Sequence, residues 1–223
     1  MSPLLGGRFE PTTSSIGFVH ESLAVVSEWL VEWRRSLYGV EVRASSCRGG
    51  LSELLPRLAP LTGGVRPREI LVSCGPEWTA YFDCSVRGTD AVSTVGHLTR
   101  TAHVEGVAVR ASDTAVQFEL FGPLRTEFLN YVRTVSMTKD GARWRFDATG
   151  TVQWFEETAA YESRRVRDRF TAEMLERYCR ALGFEVFDDL AYGPEAVLIE
   201  SPLVPPSGGH AMSFAEAQAW LSQ

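Results

Sequence analysis

One short phrase occurs twice in this chain, and each copy joins a helical pattern to an alternating one. The copies are residues 39–45 (GVEVRAS) and 106–112 (GVAVRAS), and a looser third copy spans 183–188 (GFEVFD). A glycine just past a helix takes the left-handed conformation at little steric cost. Alternating apolar residues after it indicate a strand with one buried face. The phrase therefore predicts a helix, a glycine stop and a strand, three times over.

Other local patterns extend this prediction to a fold class. An apolar helical stripe runs from Val19 to Leu37, and Arg34 lies mostly outside it. Thr89 and Asp90 are good N-caps for a helix that continues to Gly106. Asp140-Gly141 between alternating runs predicts a hairpin. Strands and helices in this mixed order favour an α+β fold, with a mixed, largely antiparallel sheet and helices packed on it.

The same patterns divide the chain into segments. Residues 1–17 are expected to form an irregular N-terminal arm, and residues 18–201 a single α+β domain. Residues 202–223 are expected to form a linker and a short helix that begins at Ser213. The internal pseudo-repeat divides the domain into candidate halves, 18–84 and 89–187. A chance match remains an alternative, because a helix followed by Gly-Val-x-Val is a common joint.

Net charge narrows the classes of partner, and cysteine usage bears on the cellular location. The formal net charge is -6, which argues against nucleic acid and fits a basic protein partner. No apolar run is long enough to span a membrane. The chain starts without a charged leader, so we expect a reducing cytoplasmic location and free cysteines. The four cysteines are Cys47, Cys74, Cys84 and Cys179.

No catalytic or cofactor motif stands out. Neither a phosphate-binding glycine loop nor a Gly-x-Ser-x-Gly elbow occurs. His97 and His103 are six residues apart, a spacing that does not align them on one helix face as metal ligands. We therefore expect no cofactor, no metal and no assigned catalytic residue. If the chain is an enzyme, a hydrolase or transferase site around Asp83, Asp90 and His97 is the place to look.

The most distinctive local string lies at a strand-to-helix turn, over residues 77–90. Aromatic and charged side chains occur there together, and such residues dominate the energetics of protein interfaces. The alternative is that the aromatic residues are core and that the last carboxylate is only a helix cap. As a binding surface the string contributes Trp78, Tyr81, Asp83, Arg87 and Asp90.

This string, together with residues 143–146, Gly150 and residues 155–156, resembles uncharacterised bacterial proteins. It is similar in style to the small cytosolic immunity proteins of bacterial toxin systems. That resemblance implies a non-catalytic α+β protein that binds and blocks one cognate toxin. Together with the net charge of -6, it favours a basic toxin domain as the partner. The family style fixes no functional residue, so none is transferred to this chain.

Three hypotheses follow from the sequence. The favoured one is a non-catalytic, cytoplasmic protein-binding protein of the immunity type. The second is the enzyme with its site around Asp83, Asp90 and His97. The third is a structural subunit that oligomerises through its C-terminal helix, and the sequence leaves the oligomeric state open.

Overall fold

A computed structural model describes residues 4–123, 130–203 and 211–222. The five helices of these residues are α1 (Leu23–Tyr38), α2 (Leu51–Leu54), α3 (Ala91–Ala102), α4 (Ala172–Ala181) and α5 (Phe214–Leu221). The strands are β1 (Ser15–Val19), β2 (Arg43–Arg48), β3 (Leu61–Thr62), β4 (Arg68–Cys74), β5 (Trp78–Asp83), β6 (Gly106–Ser112), β7 (Ala115–Phe121), β8 (Tyr131–Asp140), β9 (Arg143–Gly150), β10 (Tyr192–Glu200) and β11 (Ala211–Met212).

Nine of these strands form one sheet in the order β2-β10-β4-β5-β1-β6-β7-β8-β9, and β3 pairs with β11 in a small second sheet. Every neighbouring pair in the large sheet is antiparallel. The predicted α+β class, with a largely antiparallel sheet and helices packed on it, is confirmed.

Two helices are crossovers between strands that run parallel. Both β5 and β6 are antiparallel to β1, so they run parallel to each other, and α3 connects them over β1. By the same reasoning α1 connects β1 to the distant edge strand β2. Because β1 pairs with strands of both candidate halves, the segments 18–84 and 89–187 contribute to one sheet.

The two faces of the sheet bury different sets of side chains. On one face α1 and α3 cover a compact apolar cluster that includes Leu30, Leu71 and Val95. On the other face α2, α4 and α5 join a larger cluster that includes Phe18, Phe82 and Tyr178. Alternation along β5 sends Trp78, Ala80 and Phe82 to this second face and the residues between them to the helices α1 and α3.

Several local predictions are confirmed. Asp90 caps α3 and accepts a hydrogen bond from the Ser93 amide. The hairpin of β8 and β9 turns at residues 140–143. Thr171 caps α4, and Ser213 with Glu216 forms the predicted capping box of α5. The proline- and glycine-rich part of the predicted linker, residues 204–210, lies outside the described residues.

Other predictions are wrong, for reasons of tertiary packing. The expected irregular arm 1–17 ends in β1, because Ile16 fills the core and the strand pairs on both sides. His103, not Gly106, takes the left-handed position after α3, with φ of 59°. Gly106 instead lets α3 approach, since an added Cβ would lie 2.5 Å from side-chain atoms of Val95 and Thr99. The third copy, residues 184–188, forms no strand.

Candidate functional site

Three of the five predicted binding residues are buried. Trp78, Tyr81 and Asp83 are 4%, 0% and 0% exposed, so none of them offers a surface to a partner. Trp78 stacks on His20 and donates its indole N–H to the Leu182 carbonyl at 3.1 Å. The predicted binding role of these three side chains does not fit their burial, and the alternative reading of a packed core does.

Tyr81 and Asp83 belong to a buried polar network beneath α1 and α3. Its centre is Arg34 of α1, whose Nη2 lies 2.6 Å from Oε1 of Glu69 on β4. Burial lowers the pKa of Arg34, but the charge and hydrogen bonds of Glu69 outweigh it and leave the pKa above its ordinary value. The Tyr81 hydroxyl donates to the same carboxylate at 2.7 Å. We name Arg34, Glu69, Tyr81, Asp83 and Arg66 the buried network.

Arg66 links this network to the start of α3. Its Nε lies 3.2 Å from Oδ2 of Asp83, and its Nη2 lies 2.5 Å from Oδ2 of Asp90. The amides of Ser85 and Asp90 also donate to Asp83, each at 2.9 Å. Burial nevertheless raises the pKa of Asp83 to about 6. The network therefore links β5 to the N-terminus of α3, and its role is structural.

The residues of the enzyme hypothesis do not converge. Arg66 brings Asp83 and Asp90 together, whereas His97 stacks on Trp33 with ring centroids 3.9 Å apart. Burial, followed by the charges of Arg34 and Arg100, lowers the pKa of His97. Because Asp83 is fully buried and salt-bridged, the three side chains do not line a shared cleft.

The cysteines are all free thiols, as predicted. Cys74, Cys84 and Cys179 are buried, and burial raises the pKa of each, that of Cys74 to about 12. Since the thiolate is the nucleophilic form, these three are inert packing residues. Cys47 lies half-buried on edge strand β2.

A large concave surface lies elsewhere, at the end of the sheet where β6 turns into β7. It is an open cavity of about 740 Å³ between the first turns of the chain, this hairpin and α5. We name it the N-terminal groove, and the residues that matter below are Glu10, Thr13, Arg87, Arg110 and Asp113. Of the predicted binding residues only Arg87 lines it, and Asp90 lines a smaller cavity beside it.

The wall of the groove is fixed by contacts between the two ends of the chain. The side-chain amide of Gln218 on α5 lies 3.1 Å from the carbonyls of Gly7, Arg8 and Glu10. Phe214 packs edge-on against Phe9, with ring centroids 5.1 Å apart. These contacts hold the backbone around Glu10 in place although the segment has little regular structure.

The charged groups of the groove form no ion pair with one another or with any other described residue. Among the described residues no hydrogen bond or ion pair involves the carboxylate of Glu10 or of Asp113, and the guanidinium groups of Arg87 and Arg110 have none either. Burial, and then the nearby charge of Asp113, raises the pKa of Glu10. The hydroxyl of Thr13, a residue 8% exposed, is buried and also has no hydrogen-bond partner in the described part of the chain. The groove is thus an incomplete polar site.

Sequence reasoning missed this site for identifiable reasons. Glu10 lies in a segment without periodicity, which predicts no position for a side chain. Arg110 lies within the repeated phrase and Asp113 directly follows it, but the phrase predicts only a strand and its alternation. The available signal was Asp113-Thr114 between two alternating runs, which marks the tip of a hairpin.

The described residues offer neither a metal site nor a membrane-spanning helix. Within residues 4–123, 130–203 and 211–222, no cluster of histidine, cysteine and carboxylate side chains is arranged to hold a metal ion. None of the described helices has the length and apolar character needed to cross a membrane. Comparisons with protein-family models, curated proteins and solved structures find no match for the chain.

Proposed function

We propose that this chain is a non-catalytic, cytoplasmic binding protein of the immunity type, which holds a cationic segment of a toxin in the N-terminal groove. The observation that carries the proposal is the pair Glu10 and Asp113, two neighbouring carboxylates that form no ion pair with any described residue. Like charges at close range destabilise each other, and a lysine or arginine from a partner would relieve both. The net charge of -6 adds long-range attraction for a basic protein.

The arginines of the groove give the proposal its specificity. Arg87 and Arg110 line the same cavity as the two carboxylates. A guanidinium group binds a carboxylate through two parallel hydrogen bonds. A partner segment that carries both signs of charge in the complementary order would therefore satisfy all four groups, whereas a uniformly basic segment would leave the arginines unpaired.

The chemistry of the described residues supports binding over catalysis. Nucleophilic catalysis by cysteine needs a thiolate beside a base. Cys74, Cys84 and Cys179 are buried thiols with raised pKa values. His97 stacks on Trp33 away from Asp83 and Asp90. The groove itself contains carboxylates, guanidinium groups and hydroxyls, which are the usual contacts of a polar interface.

The oligomeric alternative remains a separate hypothesis. Helix α5 packs on its own chain through Phe214 and the fully buried Ala217. Trp220 and Leu221 at its end are partly exposed. A measurement of molar mass in solution tests this hypothesis without any partner.

A capture experiment tests the proposed function. The tagged protein is used as bait in extracts of its native host, and the bait carries either the wild-type groove or the substitutions E10Q and D113N. The matched control is E28Q with E32Q, which removes the same two charges from the exposed side of α1. We expect wild type and control to recover one basic protein at equimolar ratio, and the groove variant to recover it at least about tenfold less well, because two charge-assisted contacts are lost.

A growth assay with the recovered partner completes the test. Expression of the partner alone is expected to stop growth, and co-expression with wild type or control to restore it. Equal capture by all three baits would contradict the groove as the binding surface. A recovered partner that does not impair growth would contradict the immunity role.

A further inference from the structure

A second cavity lies beside α3, and its contents go beyond the proposed function. It has a volume of about 190 Å³ and opens between the first turn of α3 and strands β1, β6 and β7. A water molecule occupies about 30 Å³ of liquid, so the cavity has room for about six waters or for one small organic molecule. Its important side chains are Ser15, Asp90, Val92, Arg110, Gln117 and Glu119.

Glu119 is the unusual residue of this cavity. Its neighbours in the sheet are Ala108 on β6 and Thr134 on β8, which places its side chain on the face that carries α3. Its Oε2 is buried and has no hydrogen-bond partner among the described residues. Burial raises the pKa of this carboxyl to about 7. A buried polar atom without a partner costs free energy, so the site is incomplete as it stands.

Arg110 supplies a complementary charge on the adjacent strand. It pairs in register with Gln117, so it is the diagonal neighbour of Glu119 on the same face. Diagonal neighbours lie about 7–8 Å apart, within reach of long side chains. No ion pair within 4 Å joins these two residues in the described part of the chain, and both line the cavity. A carboxyl and a guanidinium therefore face the same small space without meeting.

Two further titratable groups lie around the cavity, Asp90 and Tyr131. The carboxylate of Asp90 accepts from the Ser93 amide and pairs with Arg66 at 2.5 Å, so it is already satisfied. Tyr131 on β8 lies close enough to feel the charges of Glu119 and Asp90, which add to burial in raising its pKa to about 12. The remaining wall near the start of α3 is small and apolar, at Ala91 and Val92.

We propose that this cavity binds a small free α-amino acid, with the ammonium group on Glu119 and the carboxylate on Arg110. Rotation about the last side-chain bond of Glu119, a soft torsion, turns its buried oxygen toward the ligand. Val92 and the alanine beside it leave space for a short apolar side chain. The shared chemistry of an ammonium group could also come from a peptide N-terminus, which lacks the adjacent carboxylate. Arg110 lines both cavities. This site needs no protein partner, and a failure to bind amino acids would leave the roles of Glu10 and Asp113 in the proposed function untouched.

The first test is calorimetric titration of the purified protein with glycine, L-alanine and L-valine. We expect saturable binding of at least one of them with a Kd of about 1 mM or tighter. The amide of the tightest ligand lacks the carboxylate and mimics a peptide N-terminus, whereas its N-acetyl derivative lacks the ammonium group. Each derivative is expected to bind at least about tenfold more weakly than the free amino acid, because one charge-assisted contact is lost.

Variants separate the two contacts. E119Q and R110Q should each weaken the free amino acid at least about tenfold, and R110Q should not further weaken the amide. The control E28Q with R100Q removes the same two charges at exposed positions and should bind like wild type. The affinity of wild type should rise about tenfold per pH unit up to about pH 7 and then level off, since the ammonium group must displace the proton of Glu119.

Each contrary result overturns the proposal. Absence of saturable binding up to about 10 mM of all three amino acids would do so. Equal affinity for the amide would show a site for peptide N-termini rather than free amino acids. A pKa of Glu119 below 4.5, measured by carbon-detected NMR, would show that Arg110 pairs with it directly and leaves no site between them.

Discussion

Two regions of this molecule hold charged residues close together, but the charges are paired in one region and unpaired in the other. In the buried network beneath α1 and α3, Arg34 pairs with Glu69 and Arg66 pairs with Asp83. In the N-terminal groove, neither Glu10 nor Asp113 forms an ion pair with any described residue, although two arginines line the same cavity. The network is complete without a ligand, whereas the groove is not. We therefore assign the paired, buried charges a structural role. Under the proposed function, the unpaired charges of the groove have a binding role.

The difference follows from the cost of moving a charge out of water. A buried ion requires a partner with good geometry, because its desolvation costs several kcal/mol. A half-exposed ion keeps part of its hydration, so the folded protein tolerates it without a partner at a small cost in free energy. A substitution in the network should therefore reduce stability, and one in the groove should reduce binding. The predictions below test this division, from the largest expected effect to the smallest.

The largest effect is expected from R34M. Methionine keeps most of the volume of the side chain but leaves the carboxylate of Glu69, which is 2% exposed, without its cation. We expect a loss of about 3–5 kcal/mol in the free energy of unfolding, measured by urea denaturation. The double variant R34M/E69M removes both charges and should recover most of the loss, because well-packed apolar residues can replace a buried pair. A double variant as unstable as the single one would contradict this account.

The second effect concerns packing rather than charge on the same face of the sheet. An added Cβ at Gly106 would lie 2.9 Å from the Phe18 carbonyl as well as against α3. G106A should therefore lower the free energy of unfolding by about 1–3 kcal/mol, as overpacking does. Gly50, where an added Cβ meets nothing within 4 Å, provides the control G50A, with a change of less than about 1 kcal/mol. Equal losses in the two variants would show that α3 has room to move.

The sequence predicts a structural feature well when the residues that form it are close together in the chain, and poorly when they are far apart. The caps at Asp90 and Thr171 and the β8–β9 hairpin depend on neighbouring residues, and their positions were predictable. The central place of β1 depends on pairing with residues 60 or more positions away in sequence, which no local pattern encodes.

The candidate sites show the same limit more sharply. Arg34 lies mostly outside the apolar stripe of its helix, which predicts an exposed side chain, yet it is 1% exposed because Glu69 receives it. The sequence predicts Tyr81 and Asp83 as surface binding residues, but both side chains belong to the buried network. Glu10, Arg110 and Asp113 line one cavity only because residues 4–14 and α5 lie against the β6–β7 hairpin.

The third prediction concerns Glu119, whose substitution should raise the free energy of unfolding, whereas the two substitutions above should lower it. Its pKa in the folded protein is about 7, against an ordinary value of 4.5. The folded state therefore holds the proton more tightly than the unfolded chain, and stability falls as the pH rises from 4.5 to about 7. E119Q removes this penalty. It should raise the free energy of unfolding by about 2 kcal/mol at pH 8, after allowance for partial exposure, and by little at pH 4.

Urea denaturation at both pH values measures this difference, with E28Q as the control for an exposed carboxylate. A destabilised E119Q at pH 8 would mean that the carboxylate has a favourable partner in the folded protein. In that case Glu119 would belong with the paired charges of the buried network, and the contrast between the two regions would not extend to the second cavity.

The smallest effect is expected in the groove itself. E10Q with D113N removes two neighbouring like charges that have no partner in the described structure, and burial and Asp113 raise the pKa of Glu10. The carboxyl thus gains nothing from being ionised in the folded state, so the double variant should be more stable than wild type, by about 0.5 kcal/mol at low salt. High salt should abolish the gain, because it screens charges at the surface. A loss of more than about 1 kcal/mol would show that these carboxylates stabilise the fold, as the charges beneath α1 do, and do not await a partner.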